Sequence, residues 1–129
     1  MRQISLKTFE AEIETKGWFL FEDVVSKLQI EKLKIDLGGA YAIRRPIQIK
    51  NGVDANTAGT AHHLLADGKS FLEFLKEAYL DEYIEAYFEG KYILNTFGGN
   101  LNEKSQHTYA SSVHRDVRTY TKDIKLLLN

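Results

Sequence analysis

The 129-residue sequence contains no cysteine, which removes disulfide bridges, zinc–thiolate centres and iron–sulfur clusters together. A cysteine-free chain also fits a reducing compartment. An excess of charge of one sign is missing as well. The formal net charge is −1 and no block of like charge interrupts the chain, so neither a nucleic acid nor an anionic membrane surface is indicated as a partner. No apolar run is long enough to cross a bilayer. Residues Met1 to Thr15 alternate charged and apolar types without the apolar stretch of a signal peptide, and the expected location is cytoplasmic. Internal repeats and low-complexity tracts are absent too.

What remains is the balance of an ordinary globular domain. Hydrophobic residues make up 43% and charged residues 27%, enough for one domain with a single core. The spacing of Leu6, Phe9 and Ile13 predicts an amphipathic helix over 6–16, ended by Gly17 in a left-handed conformation. Trp18-Phe19-Leu20-Phe21 reads as a short buried strand. Ser26 and Gln29 have capping-box spacing, and Val25, Leu28, Leu33 and Leu37 supply the stripe of a second helix, which Gly38-Gly39 should stop. Ile43 to Ile49 is expected to hold an edge strand around Pro46, the only proline, and 51–59 a loop. Ser70 and Glu73 repeat the capping-box pattern at the head of a helical stretch that reaches Phe88 and breaks near Leu80-Asp81. Gly90 should close it. Tyr92-Ile93-Leu94 starts a strand, Gly98-Gly99-Asn100 a turn, and 108–113 and 123–129 further strands. Helices and short strands come first and strands only last, which suggests an α+β arrangement.

The chemistry-bearing pattern is His114-Arg115-Asp116. In an extended segment residues i and i+2 share a face, so the imidazole and the carboxylate can converge on one cation. They are two parts of the 2-His-1-carboxylate triad that holds Fe(II) and leaves positions open. The spacing alone fits a surface ion pair or a turn better than a metal site. A kinase catalytic loop is excluded, because Thr121 stands where that motif requires asparagine and no G-x-G-x-x-G loop precedes it.

The surroundings carry more. Phe9, Lys16-Gly17-Trp18-Phe19-Leu20, Asp23-Val24-Val25-Ser26 and Glu31-Lys32-Leu33 resemble the opening of the phytanoyl-CoA dioxygenase family. The similarity continues through Phe71-Leu72-Glu73-Phe74-Leu75 and Lys91-Tyr92-Ile93-Leu94-Asn95 to Val113-His114-Arg115-Asp116, where that family carries its H-x-D, with 123–129 matching the strand that follows it. The resemblance implies N-terminal helices packed on a double-stranded β-helix (jelly roll), of which only the first strands are present here. It implies Fe(II), 2-oxoglutarate as co-substrate, and hydroxylation of a small molecule with succinate and carbon dioxide as co-products. His114 and Asp116 would be metal ligands, with Arg115 between them turned away.

The family's second histidine ligand and its 2-oxoglutarate-binding basic residue lie downstream of H-x-D, whereas 117–129 contain no histidine and only Arg118 as arginine. The expectation is a single domain over 1–129, the N-terminal part of an oxygenase domain truncated after the H-x-D strand and inactive alone. Related enzymes direct polar side chains toward the co-substrate from the strand before the motif. Asn95 or Thr96 would do so here, Asn95 being favoured because Ile93 and Phe97 would share its face, and Asn129 is a candidate of the same kind.

Several residues have plainer readings. His62-His63, being adjacent, are not suited to one metal and read as loop or helix-start residues, with substrate contact as the alternative. His107 would need an intervening turn to reach the motif. Tyr120 fits packing, Arg115 and Arg118 fit exposed ion pairs, and Tyr79, Tyr83, Tyr87 and Phe88 have the spacing of a helical core face. Two other functions stay open: a non-catalytic binding domain on the same fold, and an α+β domain whose H-x-D is incidental. The oligomeric state is open, although an unpaired terminal strand is a ready edge for another chain.

Overall fold

Ser5 sets the first helix. Its hydroxyl accepts a hydrogen bond from the Thr8 amide, and α1 (Leu6–Lys16) ends at Gly17, whose φ of 79° lets its amide close on the Ile13 carbonyl. The computed structural model describes residues 4–102, and the expected strands at 108–113 and 123–129 lie outside them. After Gly17 the aromatic run at 18–21 is irregular backbone rather than a strand. Its alternate rings Phe19 and Phe21 turn onto Phe9, while Trp18 and Leu20 stay exposed.

Ser26 caps α2 (Lys27–Lys50) by accepting from the Gln29 amide, as its spacing predicts. The helix does not stop at Gly38-Gly39, and the edge strand expected at Ile43 to Ile49 is its last turns, with Pro46 inside. Tertiary ties outweigh these local breakers. Ala40 is fully buried between Leu37 and Tyr41 on the core side, and beyond it the Arg44 Nε and Nη2 donate to Asp67 Oδ2 at 2.9 and 2.7 Å. Gln48 Nε2 donates to the Thr60 carbonyl at 2.7 Å and Arg45 Nη1 to the Asp54 carbonyl at 2.9 Å. Every turn from Asp36 to Gln48 is thus held from the side. Leu33 and Leu37 pack inward as expected, but Leu28 is exposed and Val25 precedes the helix.

A loop over 51–59 leads into β1 (Thr60–His62), followed by a short 3₁₀ turn (Leu64–Ala66) and α3 (Lys69–Glu77). Ser70 is not the cap of α3; Gly68 precedes the helix, and a side chain there would run into the Asp36 carboxylate. The Ser70 amide instead donates to Asp36 Oδ2 at 3.1 Å, and its carbonyl accepts from Gln29 Nε2 at 2.8 Å. Two bonds therefore lock α3 to α2. The break near Leu80 is present, since α4 (Asp81–Phe88) starts afresh, and Glu89 rather than Gly90 takes the left-handed closing position.

The strand expected at Tyr92-Ile93-Leu94 is irregular backbone, and the expected turn at Gly98-Gly99-Asn100 is β2 (Gly98–Asn100). β2 pairs antiparallel with β1 in the register Thr60–Asn100, Ala61–Gly99, His62–Gly98. The Leu64 amide to the Phe97 carbonyl and the Leu101 amide to the Gly59 carbonyl extend the pairing at both ends. Glycine suits this strand because Leu37 and Leu64 press on it: a Cβ on Gly99 would sit 2.6 Å from Leu37 Cδ1. The described residues thus form an α+β arrangement with one small antiparallel sheet, its core made of Ala40, Ala61, Leu64 and Phe71.

Candidate functional site

His114 and Asp116, the proposed ligands, lie outside the described residues, as do His107, Arg115, Arg118, Tyr120 and Asn129. The structure does describe the strand pair from which the chain enters that segment. At its last register position two polar side chains face one another across the ladder. Thr60 is 4% exposed and its Oγ1 has no hydrogen-bond partner; Asn100 Oδ1 is likewise buried and unpartnered, while its Nδ2 donates to Asn102 Oδ1 at 2.9 Å. A buried hydroxyl and a buried amide oxygen can together receive and donate hydrogen bonds to a small polar group. Neither residue stood out in the sequence, because only the pairing of 60 with 100 brings them together.

Gly59 builds this corner. Its φ of 74° is left-handed, its amide donates to the Tyr41 hydroxyl at 3.1 Å, and a side chain there would overlap the Leu101 carbonyl. At the other end of the pair His62 is half-buried beside Gly98, and His63 is exposed with φ 59°, heading the 3₁₀ turn. The two imidazoles are 6.5 Å apart between centroids and tilted by 58°. Among the described residues no group of three or more His, Cys, Asp or Glu is placed to hold a metal ion.

Asn95 and Thr96 are both exposed, on a segment with no strand partner. The alternation expected to turn Asn95 inward does not apply there: Ile93 is 87% exposed, whereas Phe97 packs against Phe71 and Phe74 at centroid distances of 6.0 and 6.2 Å. Of the tyrosines expected on a core face, Tyr83 is buried and Tyr79 is exposed. Burial, and then the Glu82 carboxylate, push the Tyr83 phenol above its ordinary value. Its hydroxyl donates to the Ile4 carbonyl at 2.9 Å. Tyr92 donates to the Asp81 carboxylate, and that bond raises its pKa more than burial does.

No known family model, curated protein or solved structure matches the chain. No helix among the described residues is long and apolar enough to cross a membrane.

Proposed function

We propose that this chain is part of an Fe(II)- and 2-oxoglutarate-dependent oxygenase that hydroxylates a small-molecule substrate. The observation that carries the reading is His114-Arg115-Asp116 in its sequence setting, after Lys91-Tyr92-Ile93-Leu94-Asn95 and the glycine–aromatic segment at Gly17-Trp18. The donor set suits the metal. A neutral imidazole and a carboxylate one residue apart are ligands that a facial-triad iron takes, and two ligands leave positions for co-substrate and dioxygen. Bound iron would supply the redox chemistry with dioxygen that an unactivated C–H bond needs.

In this reading His114 and Asp116 hold the cation, and Asn95 or Thr96 together with Asn129 contact 2-oxoglutarate. The third protein ligand and the residue that grips the distal carboxylate are not assigned to any residue of this chain. The jelly roll belongs to the same proposal, with β1 and β2 as its first strands and α2 and α3 as the helices that cover them. A cytoplasmic location goes with it.

The test is iron-dependent release of succinate from 2-oxoglutarate by the polypeptide that carries this chain. His114→Ala should reduce it to background, at least about a hundredfold, since even outer-shell changes around a metal cost 10- to 100-fold. Activity unchanged in His114→Ala would overturn the assignment of that ligand, whereas no metal binding and no succinate release by the unmodified polypeptide would favour a non-catalytic binding domain.

A further inference from the structure

The segment at 18–26 and the junction between α3 and α4 flank two adjoining clefts. One, of about 200 Å³, is walled by Leu20, Phe21, Val24 and Tyr83 together with Tyr79 and Glu22. The other, of about 270 Å³, shares Val24, Ala78 and Tyr79 with it and adds Phe74 and Glu77. The shared residues make them one groove with Tyr79 at its middle. The Tyr79 φ of 50° is left-handed, a conformation uncommon outside glycine and costly for a bulky residue. Tyr79 is also 67% exposed, so burial of its ring does not offset that cost. Asp23, between Glu22 and Val24 in the chain, has φ 56°. Backbone held in such conformations gathers at ligand clamps and active sites.

The charge of the groove has one sign. Among the described residues its only charged lining side chains are the carboxylates of Glu22 and Glu77, and no lysine, arginine or histidine lines either cleft. Neither carboxylate is in an ion pair with another described residue. A third, Glu82, acts after burial to push the Tyr83 phenol above its ordinary value. The chain as a whole is close to neutral, with a formal net charge of −1, so this negative lining is local. Apolar walls focus the field of such a lining on whatever enters. The rings add to it, because the faces of Phe21, Tyr79 and Tyr83 carry the negative side of their quadrupoles. Carboxylates and ring faces select the same ligand, a cation with apolar substituents.

We propose that this groove binds a small organic cation, an alkylated ammonium, with its head against the Tyr79 ring that both clefts share and its apolar part against Leu20, Phe21 and Val24. A metal ion does not suit it, since ring faces are not ligands and hard cations seek several oxygens. An alkylated ammonium is weakly hydrated and loses little on entering apolar walls. The proposal does not rest on the iron site.

The test compares choline with 3,3-dimethylbutan-1-ol, which has the same shape and no charge, by NMR titration of the full chain. Choline should shift the signals of Val24, Ala78 and Tyr79 and bind at least about fivefold more tightly than the neutral alcohol, the margin a cation over an aromatic face supplies. Tyr79→Ala should weaken choline by about fivefold or more, while Tyr79→Phe, which keeps the ring, should retain it. The double variant Glu22→Gln, Glu77→Gln should weaken choline and leave the alcohol unchanged. All three side chains are exposed, so these substitutions should leave the amide spectrum outside the groove as it is. Equal binding of choline and the alcohol would overturn the proposal, showing an apolar groove indifferent to charge. No shift at Val24, Ala78 and Tyr79 with choline would overturn it too, as would choline binding that survives Tyr79→Ala unchanged.

Discussion

The two packed regions of the described fold are held together in different ways. Around α2, α3 and the strand pair the buried apolar side chains are Ala40, Ala61, Leu64 and Phe71, and polar groups tie the elements together: Gln29 and Asp36 to the Ser70 backbone, Gln48 to the Thr60 carbonyl, and Arg44 to the Asp67 carboxylate. Between α1, the 18–21 segment and α4, four rings make the contact. Phe9 meets Phe19, Phe21 and Tyr83 at centroid distances of 5.3–5.9 Å, two of the three edge-on, and the main polar tie is the Tyr83 hydroxyl on the Ile4 carbonyl. Directional bonds to backbone specify one register, whereas ring clusters tolerate adjustment. The first region therefore fixes where β2 delivers the chain toward the H-x-D segment, and the second anchors the N-terminal helix.

The comparison breaks most visibly if one large side chain is removed from each region. Phe71 and Phe9 are both 2% exposed, and truncation to alanine should cost about 3–5 kcal/mol at either. The consequences should differ. Phe71→Ala should lower the global unfolding midpoint, while Phe9→Ala should speed amide exchange in α1 ahead of α2. Equal exchange in both helices would show that the two regions open together. Next in size is Gly59→Ala. The left-handed backbone alone costs about 1–2 kcal/mol, and the overlap with the Leu101 carbonyl, which is backbone, adds to that. Chemical denaturation would read the loss, and a change under about 0.5 kcal/mol would show that the Gly59–Leu101 corner relaxes.

Two polar deletions sharpen the contrast further. Gln29 is 4% exposed, and Gln29→Ala leaves the Ser70 carbonyl buried without its donor, at about 1–3 kcal/mol. Tyr83→Phe removes a partly buried bond while keeping the ring, and should cost about 0.5–1.5 kcal/mol. The reverse order would mean that the ring cluster depends on its hydroxyl. Smallest is the effect at Tyr92, whose bond to Asp81 raises the phenol above its ordinary value of 10.0. A raised folded-state pKa gives a contribution that is complete below about pH 10 and lost as pH rises through the raised value. The stability difference between the protein and Tyr92→Phe should accordingly be flat to about pH 10 and shrink above it, measured by denaturation across that range.

Features decided by neighbours in sequence were legible in it. The bounds of α1, the left-handed Gly17, the Ser26 cap and the break before α4 follow from local hydrogen bonding. Features decided across the fold were not. Gly38-Gly39 and Pro46 read locally as breaks, but side-chain ties from Asp36 to Gln48 carry α2 past them. Gly98-Gly99 reads as a turn, yet both residues lie in a strand, where the side chains of Leu37 and Leu64 crowd the Gly99 position. Ser70 looked like a cap because its spacing to Glu73 is right, while its backbone is claimed by Asp36 and Gln29, 34 and 41 residues away. At the candidate site the proposed ligand pair, His114 and Asp116, is a pattern in the sequence, whereas the buried Thr60–Asn100 pair exists only through a non-local register.

The central claim is that His114 and Asp116 bind a divalent cation with open positions, and calorimetric titration with Mn(II) tests it most directly. The account predicts that 2-oxoglutarate tightens Mn(II) binding and that His114→Ala and Asp116→Ala each remove it. Identical titrations for the protein and both variants, or no response to 2-oxoglutarate, would contradict it.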